Sequence, residues 1–135
     1  MIKTNIIVKL QVEGFHNWPA AKDILPEVAF LSDRHRHIFF IECKKEVSHS
    51  DRDVEIIMFK RSILEYLLQA HGNHTHGNRP YYLLCEFGAM SCEMIAEELI
   101  KEFNLEYCSV LEDNENGAEC YAEPMMYSSD RGAVQ

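Results

Sequence analysis

The chain has 135 residues, of which 47% are hydrophobic and 26% charged, with a formal net charge of −9. This length predicts one domain with a core large enough to need no staples. The acidity argues against nucleic acid and anionic membrane surfaces as partners, since both are held by clustered Lys and Arg, and no apolar run approaches the roughly 20 residues that span a bilayer.

Met1 to Thr4 leads straight into a strand-like segment without a signal-peptide pattern. The five cysteines, Cys43, Cys85, Cys92, Cys108 and Cys120, contain no CxxC pair. Reduced thiols in a cytoplasmic protein are therefore expected, with Cys85, Cys92, Cys108 and Cys120 packed as small apolar core residues. On that reading the sequon at Asn73-His74-Thr75 is a chance match.

Ile6 to Phe15 alternates with period 2 and predicts a strand. A loop follows from Asn17 to Asp33, punctuated by Pro19 and Pro26. His35 to Val47 predicts a second strand, able to pair antiparallel with the first. Asp51 to Ala70 has helical spacing, with Phe59, Ile63, Leu67 and Ala70 on the buried side. A polar loop, His71 to Arg79, precedes a short apolar run, Tyr81 to Phe87, that is ambiguous but strand-like. Ser91 is a good N-cap for a second helix through Phe103, which buries Cys92, Ala96, Leu99 and Phe103. Tyr107 to Leu111 and Ala118 to Glu123 predict two more strands, with Asn116-Gly117 as the hairpin turn between them. Residues 1–123 then form the domain, and 124–135 a loose tail.

His35 and His37 stand two apart on a predicted strand, so their rings share one face. His16 ends the strand predicted to pair with it. Three neutral imidazoles with an open fourth position suit a catalytic zinc ion. A competing metal site is the loop cluster His71, His74 and His76, whose plain reading is a solvated polar loop.

Taken in order, these features resemble the 6-pyruvoyl-tetrahydropterin synthase / 6-carboxytetrahydropterin synthase family. The motifs are Phe15-His16, His35-Arg36-His37, Glu55-Ile56-Ile57-Met58-Phe59-Lys60 in the slot that opens the family's first helix, Met90-Ser91-Cys92-Glu93-Met94-Ile95-Ala96 at the second, and Val110-Leu111-Glu112-Asp113 at a strand end. The resemblance covers about residues 5 to 123. It implies an α+β tunnelling fold (T-fold), with two helices on one face of a four-stranded antiparallel sheet, closing into an oligomeric barrel, a hexamer being one option. It implies zinc on His16, His35 and His37, and Glu112 as the anchor for a pterin ring through two parallel N–H bonds.

The sequence also departs from the family. The family's catalytic Cys falls at Leu31, and its Asp-His pair falls at Ala70-His71, without the Asp. That leaves His71 as the candidate base, with Asp33 or Glu27 as loop carboxylates that could stand in for the Cys. Arg36 replaces a small Gly and is a candidate to meet an anionic ligand, as are Arg34, Arg52, Lys60 and Arg61. Three readings follow: a zinc-dependent lyase acting on a dihydropterin or its triphosphate; a module that binds a pterin, purine or purine-derived nucleotide without turnover; or an interaction domain with incidental histidines.

Overall fold

The computed structural model describes residues 2–73 and 84–123. The elements are strand β1 (Thr4–His16), a short helix α1 (Ala21–Ile24), 3-10 turns over Pro26–Ser32, strand β2 (His35–Val47), helix α2 (Ile56–His71), strand β3 (Leu84–Gly88), helix α3 (Cys92–Phe103), and strands β4 (Tyr107–Glu112) and β5 (Asn116–Tyr121). The predicted tail, 124–135, and His74 and His76 of the loop cluster lie outside the described residues. Among the described residues, no helix is long and apolar enough to cross a membrane.

The architecture is α+β, but the sheet is not the expected four-stranded antiparallel one. It has five strands in the order β3-β1-β2-β4-β5. The extra strand comes from the ambiguous apolar run and pairs parallel with the end of β1. A five-residue apolar segment does not encode which edge it joins or in which direction. Joining here covers the otherwise open edge of β1 at Glu13–His16.

β1 and β2 pair antiparallel along their whole length, from Thr4 opposite Val47 to His16 opposite His35. Alternation puts Val8, Leu10 and Val12 on one face with Cys43, Ile41 and Phe39, and β4 adds Cys108 and Val110. Both longer helices bury their stripes on this face: Phe59, Ile63 and Leu67 from α2, and Cys92, Ile95, Ala96 and Leu99 from α3. Each such fully buried aliphatic or aromatic side chain contributes about 1.5–3 kcal/mol. Four of the five cysteines lie in this core.

Local chemistry moved several boundaries. α2 starts at Ile56 rather than Asp51, because the Glu55 carboxylate accepts from the backbone N–H of Ile57 and Met58 at 2.9 and 3.0 Å. Just before it, Asp53 takes the Ser48 amide and hydroxyl into a turn. The buried stripe ends at Leu67, leaving Ala70 exposed. The predicted loop after β1 contains α1 and the 3-10 turns, tied at its base by Trp18 N–H to Leu31 O at 2.7 Å.

The β4–β5 hairpin exists, but its turn falls at Asp113–Glu115. Asp113 and Asn114 take the positive φ values, 55° and 59°. Gly117 is needed inside β5 instead: a Cβ there would meet the Val110 carbonyl oxygen at 2.0 Å. Ser91 caps α3 as expected, its side chain accepting from Met94 N–H at 3.2 Å. Ser91→Ala is expected to cost about 1 kcal/mol of stability, read as a lower urea midpoint at unchanged m-value.

Candidate metal centre

The helix-side face of the sheet continues past the helices into a polar patch. β1 delivers His16 there, and the start of β2 delivers His35 and His37. His16 and His35 are direct cross-strand partners, and Gly14 faces His37. The absence of a side chain at Gly14 matters, since a Cβ would sit 2.9 Å from the Phe87 ring and 3.1 Å from that of Phe39. These two rings floor the patch, with the Phe39 centroid 5.2 Å from His16 and 5.7 Å from His37. A register shift in the β1–β3 ladder falls between Phe15 and His16, at the point where His16 is aimed.

The three imidazoles stand edge to face, with centroids 4.6 to 5.3 Å apart. One ligand atom from each lies within 4.8 Å of the others. Every Nδ1 already has an acceptor. His16 Nδ1 donates to the Met90 carbonyl at 2.9 Å, His35 Nδ1 to the Asp33 carbonyl at 2.8 Å, and His37 Nδ1 to Asp113 Oδ2 at 2.7 Å. A carbonyl can only accept, so it holds the ring proton on Nδ1 and leaves Nε2 with a lone pair. This is the outer shell that metal-binding histidines need. Burial also pushes the His16 imidazole down from its ordinary pKa, against the opposing pull of Met90 and Glu112, which favours the neutral ligand form. Asp113 is held below the usual carboxylate range by the hydrogen bonds from His37 and the Ile38 amide.

His16 Nε2 and His37 Nε2 are buried and make no hydrogen bond. Leaving such atoms unpaired costs about 1–3 kcal/mol each, and a metal ion would satisfy both. The donor set therefore fits a divalent cation of the zinc class, which favours neutral imidazole.

Glu112, at the end of β4, joins the cluster. Its Oε2 is 3.0 Å from His16 Nε2, and its Oε1 is 3.5 Å from His37 Nε2. A cavity of about 550 Å³ opens beside it, walled by His16, His35, Glu112, Trp18, Leu31 and Met90 among others. Leu31 thus stands at the cavity, but it brings an apolar side chain where the family resemblance implies a thiol. No Lys or Arg of the described residues lines this cavity.

The other predicted site residues lie elsewhere. Arg36 alternates onto the opposite face of β2 and pairs with Glu13. Arg34 pairs with Glu86 and lies over the Phe15 ring, and Arg52 pairs with its neighbour Asp51. Lys60 and Arg61 are exposed on α2. Asp33 reaches the triad through its backbone carbonyl, and Glu27 is exposed in the 3-10 turns. His71 packs against Phe87 with centroids 5.1 Å apart, and its Nε2 lies 2.7 Å from Glu98 Oε2. That carboxylate also accepts from Tyr66 OH at 2.8 Å. Thus α3 supplies the carboxylate partner that no neighbour of His71 in sequence supplies.

Three contributors were not legible beforehand. Met90 acts through a carbonyl, Asp113 orients His37, and Cys92 touches the site, its Sγ 3.7 Å from Glu112 Oε2. Burial first, then the Glu112 charge, push the Cys92 thiol up to about 12, so it stays protonated and is a poor nucleophile near neutral pH. The sequence matches no protein-family model and no curated protein.

Proposed function

We propose that this chain is a zinc-binding T-fold protein of the 6-pyruvoyl/6-carboxytetrahydropterin synthase type, acting on a dihydropterin. The observation that carries the reading is the convergence of three imidazoles, one ligand atom from each within 4.8 Å of the others and every Nδ1 on an acceptor, beside a cavity of about 550 Å³. That volume falls in the range of small-molecule sites. His16, His35 and His37 would hold the zinc. When bound, the ion would supply Lewis acidity toward side-chain oxygens of the ligand.

The chain's own residues supply the rest. Glu112 offers a carboxylate to the N–H edge of a pterin or purine ring. Trp18, Leu31 and Met90 give the ring an apolar wall. His71, oriented by Glu98, is the residue best equipped to move a proton, and Asp33 is the candidate loop carboxylate, its backbone carbonyl on His35. On the T-fold reading subunits assemble into a barrel and share sites across their interfaces.

A second reading is binding of a pterin or purine-like ligand without turnover. Leu31 at the cavity and the protonated Cys92 favour it, since neither provides a nucleophile or an acid-base group.

Untagged protein is expected to carry about one zinc per chain by elemental analysis, lost in His37→Ala. Incubation with a dihydropterin, followed by mass spectrometry of the ligand, then separates the readings. A metal-dependent product supports the enzyme, and a bound ligand recovered intact supports the module. Purified protein that neither carries nor takes up zinc would remove the enzyme and leave the binding module or an interaction domain.

A further inference from the structure

We propose that Glu112 is itself a metal ligand, so that the resting centre is closed by three imidazoles and one carboxylate rather than left open. The inference rests on the zinc reading of the triad and not on the identity of the organic ligand.

The argument starts from an electrostatic mismatch. The Met90 and Asp33 carbonyls fix the protons of His16 and His35 on Nδ1, and Asp113, which also accepts from the Ile38 amide, does the same for His37. The Nε2 atoms therefore present lone pairs. Glu112 presents carboxylate lone pairs to two of them, at 3.0 Å and 3.5 Å. Neither of these nitrogens makes a hydrogen bond. Among the described residues, the one side-chain donor to the carboxylate is the weak Cys92 thiol, at 3.7 Å. Lone pairs facing one another at this range repel, and a cation between them reverses the sign.

The spacing is close to that of a shared cation. Two ligand atoms, each about 2.0–2.2 Å from zinc at a tetrahedral angle, lie about 3.3–3.6 Å apart. The Glu112 Oε1 separation from His37, 3.5 Å, falls in that range, and the Oε2 separation from His16, 3.0 Å, is shorter than it. Charge points the same way. Three neutral imidazoles give the ion no countercharge, whereas one carboxylate halves its excess. The competing account is a doubly protonated His16 in an ion pair with Glu112, which would give His16 Nε2 the hydrogen bond that it lacks.

A consequence follows for ligand binding. A ring that takes the Glu112 carboxylate must draw it off the metal, so ring binding and exposure of the fourth position become one event. Glu112 would then gate the centre as well as anchor the ring.

The test uses cobalt(II) in place of zinc, in wild type, Glu112→Gln and Glu93→Gln. Glu93 lines the same cavity from α3 and controls for loss of charge alone. Affinity is read by competition with a chromophoric chelator, and access to the fourth position by adding azide and recording the visible cobalt spectrum. Glu112→Gln is expected to bind about 100-fold more weakly or worse, at or beyond the usual range for outer-shell changes. Its spectrum should shift with azide, while those of wild type and Glu93→Gln should not. Wild-type cobalt protein that responds to azide like the variant, or equal affinity in Glu112→Gln and Glu93→Gln, would overturn the proposal and leave the triad standing. The azide measurement on wild type needs no variant to fold. Wild type that binds neither cobalt nor zinc would overturn the triad and this proposal together.

Discussion

Phe39→Ala is expected to lower the free energy of unfolding by about 3–5 kcal/mol and to weaken metal binding as well. Phe39 is fully buried in the middle of the sheet, with Val12 and Glu112 as its cross-strand neighbours. Its ring meets three others: Phe87 at 5.1 Å, His16 at 5.2 Å and His37 at 5.7 Å. Edge-to-face pairs of this kind add about 0.5–1.5 kcal/mol beyond area burial. Truncation leaves a cavity directly under two imidazoles, and rings without a floor lose their fixed direction. Phe39→Leu separates the two effects. It keeps most of the volume, costs less, and removes the ring contacts, so its loss should show more in metal affinity than in stability. Urea unfolding of the metal-free proteins and chelator competition supply both numbers. A cost under about 1 kcal/mol for Phe39→Ala would mean that the site is not supported from below as described.

The triad was legible because strand alternation is rigid. Two histidines at His35 and His37 must share a face, and a partner strand that ends in His16 brings a third ring to the same end. The Ser91 cap was legible for a similar reason, since a Ser before an apolar stripe has one local use. What escaped is what depends on distant chain. β3 could not be placed because its edge and direction are decided by the open side of β1, not by its own five residues. The hairpin turn slipped because Asp113-Asn114 tolerates positive φ as Asn116-Gly117 does, and the close approach of the Val110 carbonyl needs the glycine inside the strand.

The outer shell of the site was hidden for a different reason. Two of its three acceptors are backbone carbonyls, at Met90 and Asp33, which have no side-chain signature. The carboxylate for His71 was sought beside it in sequence and stands 27 residues away, on α3. Cys92 has the spacing of a core residue and is one, but it lies where the core meets the site. Chemistry that reaches the centre through packed neighbours leaves no periodic mark.

The histidines themselves should not be equivalent when mutated, and this asymmetry is the sharpest check on the geometry. His35 is partly exposed at the start of β2, and its Nδ1 bonds only to the carbonyl two residues before it. His35→Ala lets water replace that contact, so metal-free stability should change by no more than about 0.5 kcal/mol. His16 is 7% exposed and ties β1 to the Met90 carbonyl at the entrance to α3. His16→Ala leaves that carbonyl short of a donor and opens space above Phe39, so it should cost about 2–3 kcal/mol without any metal present. Both variants should lose the stabilisation that zinc confers on wild type, which by mass action is about 2.7 kcal/mol at 100 times the dissociation constant. Denaturant unfolding with and without zinc reads all of these quantities. If His35→Ala keeps the zinc increment, its ring is not a ligand and the centre must be rebuilt around His16, His37 and Glu112. If it loses the increment with its metal-free stability intact, the ring is there for the metal, because the fold does not need it.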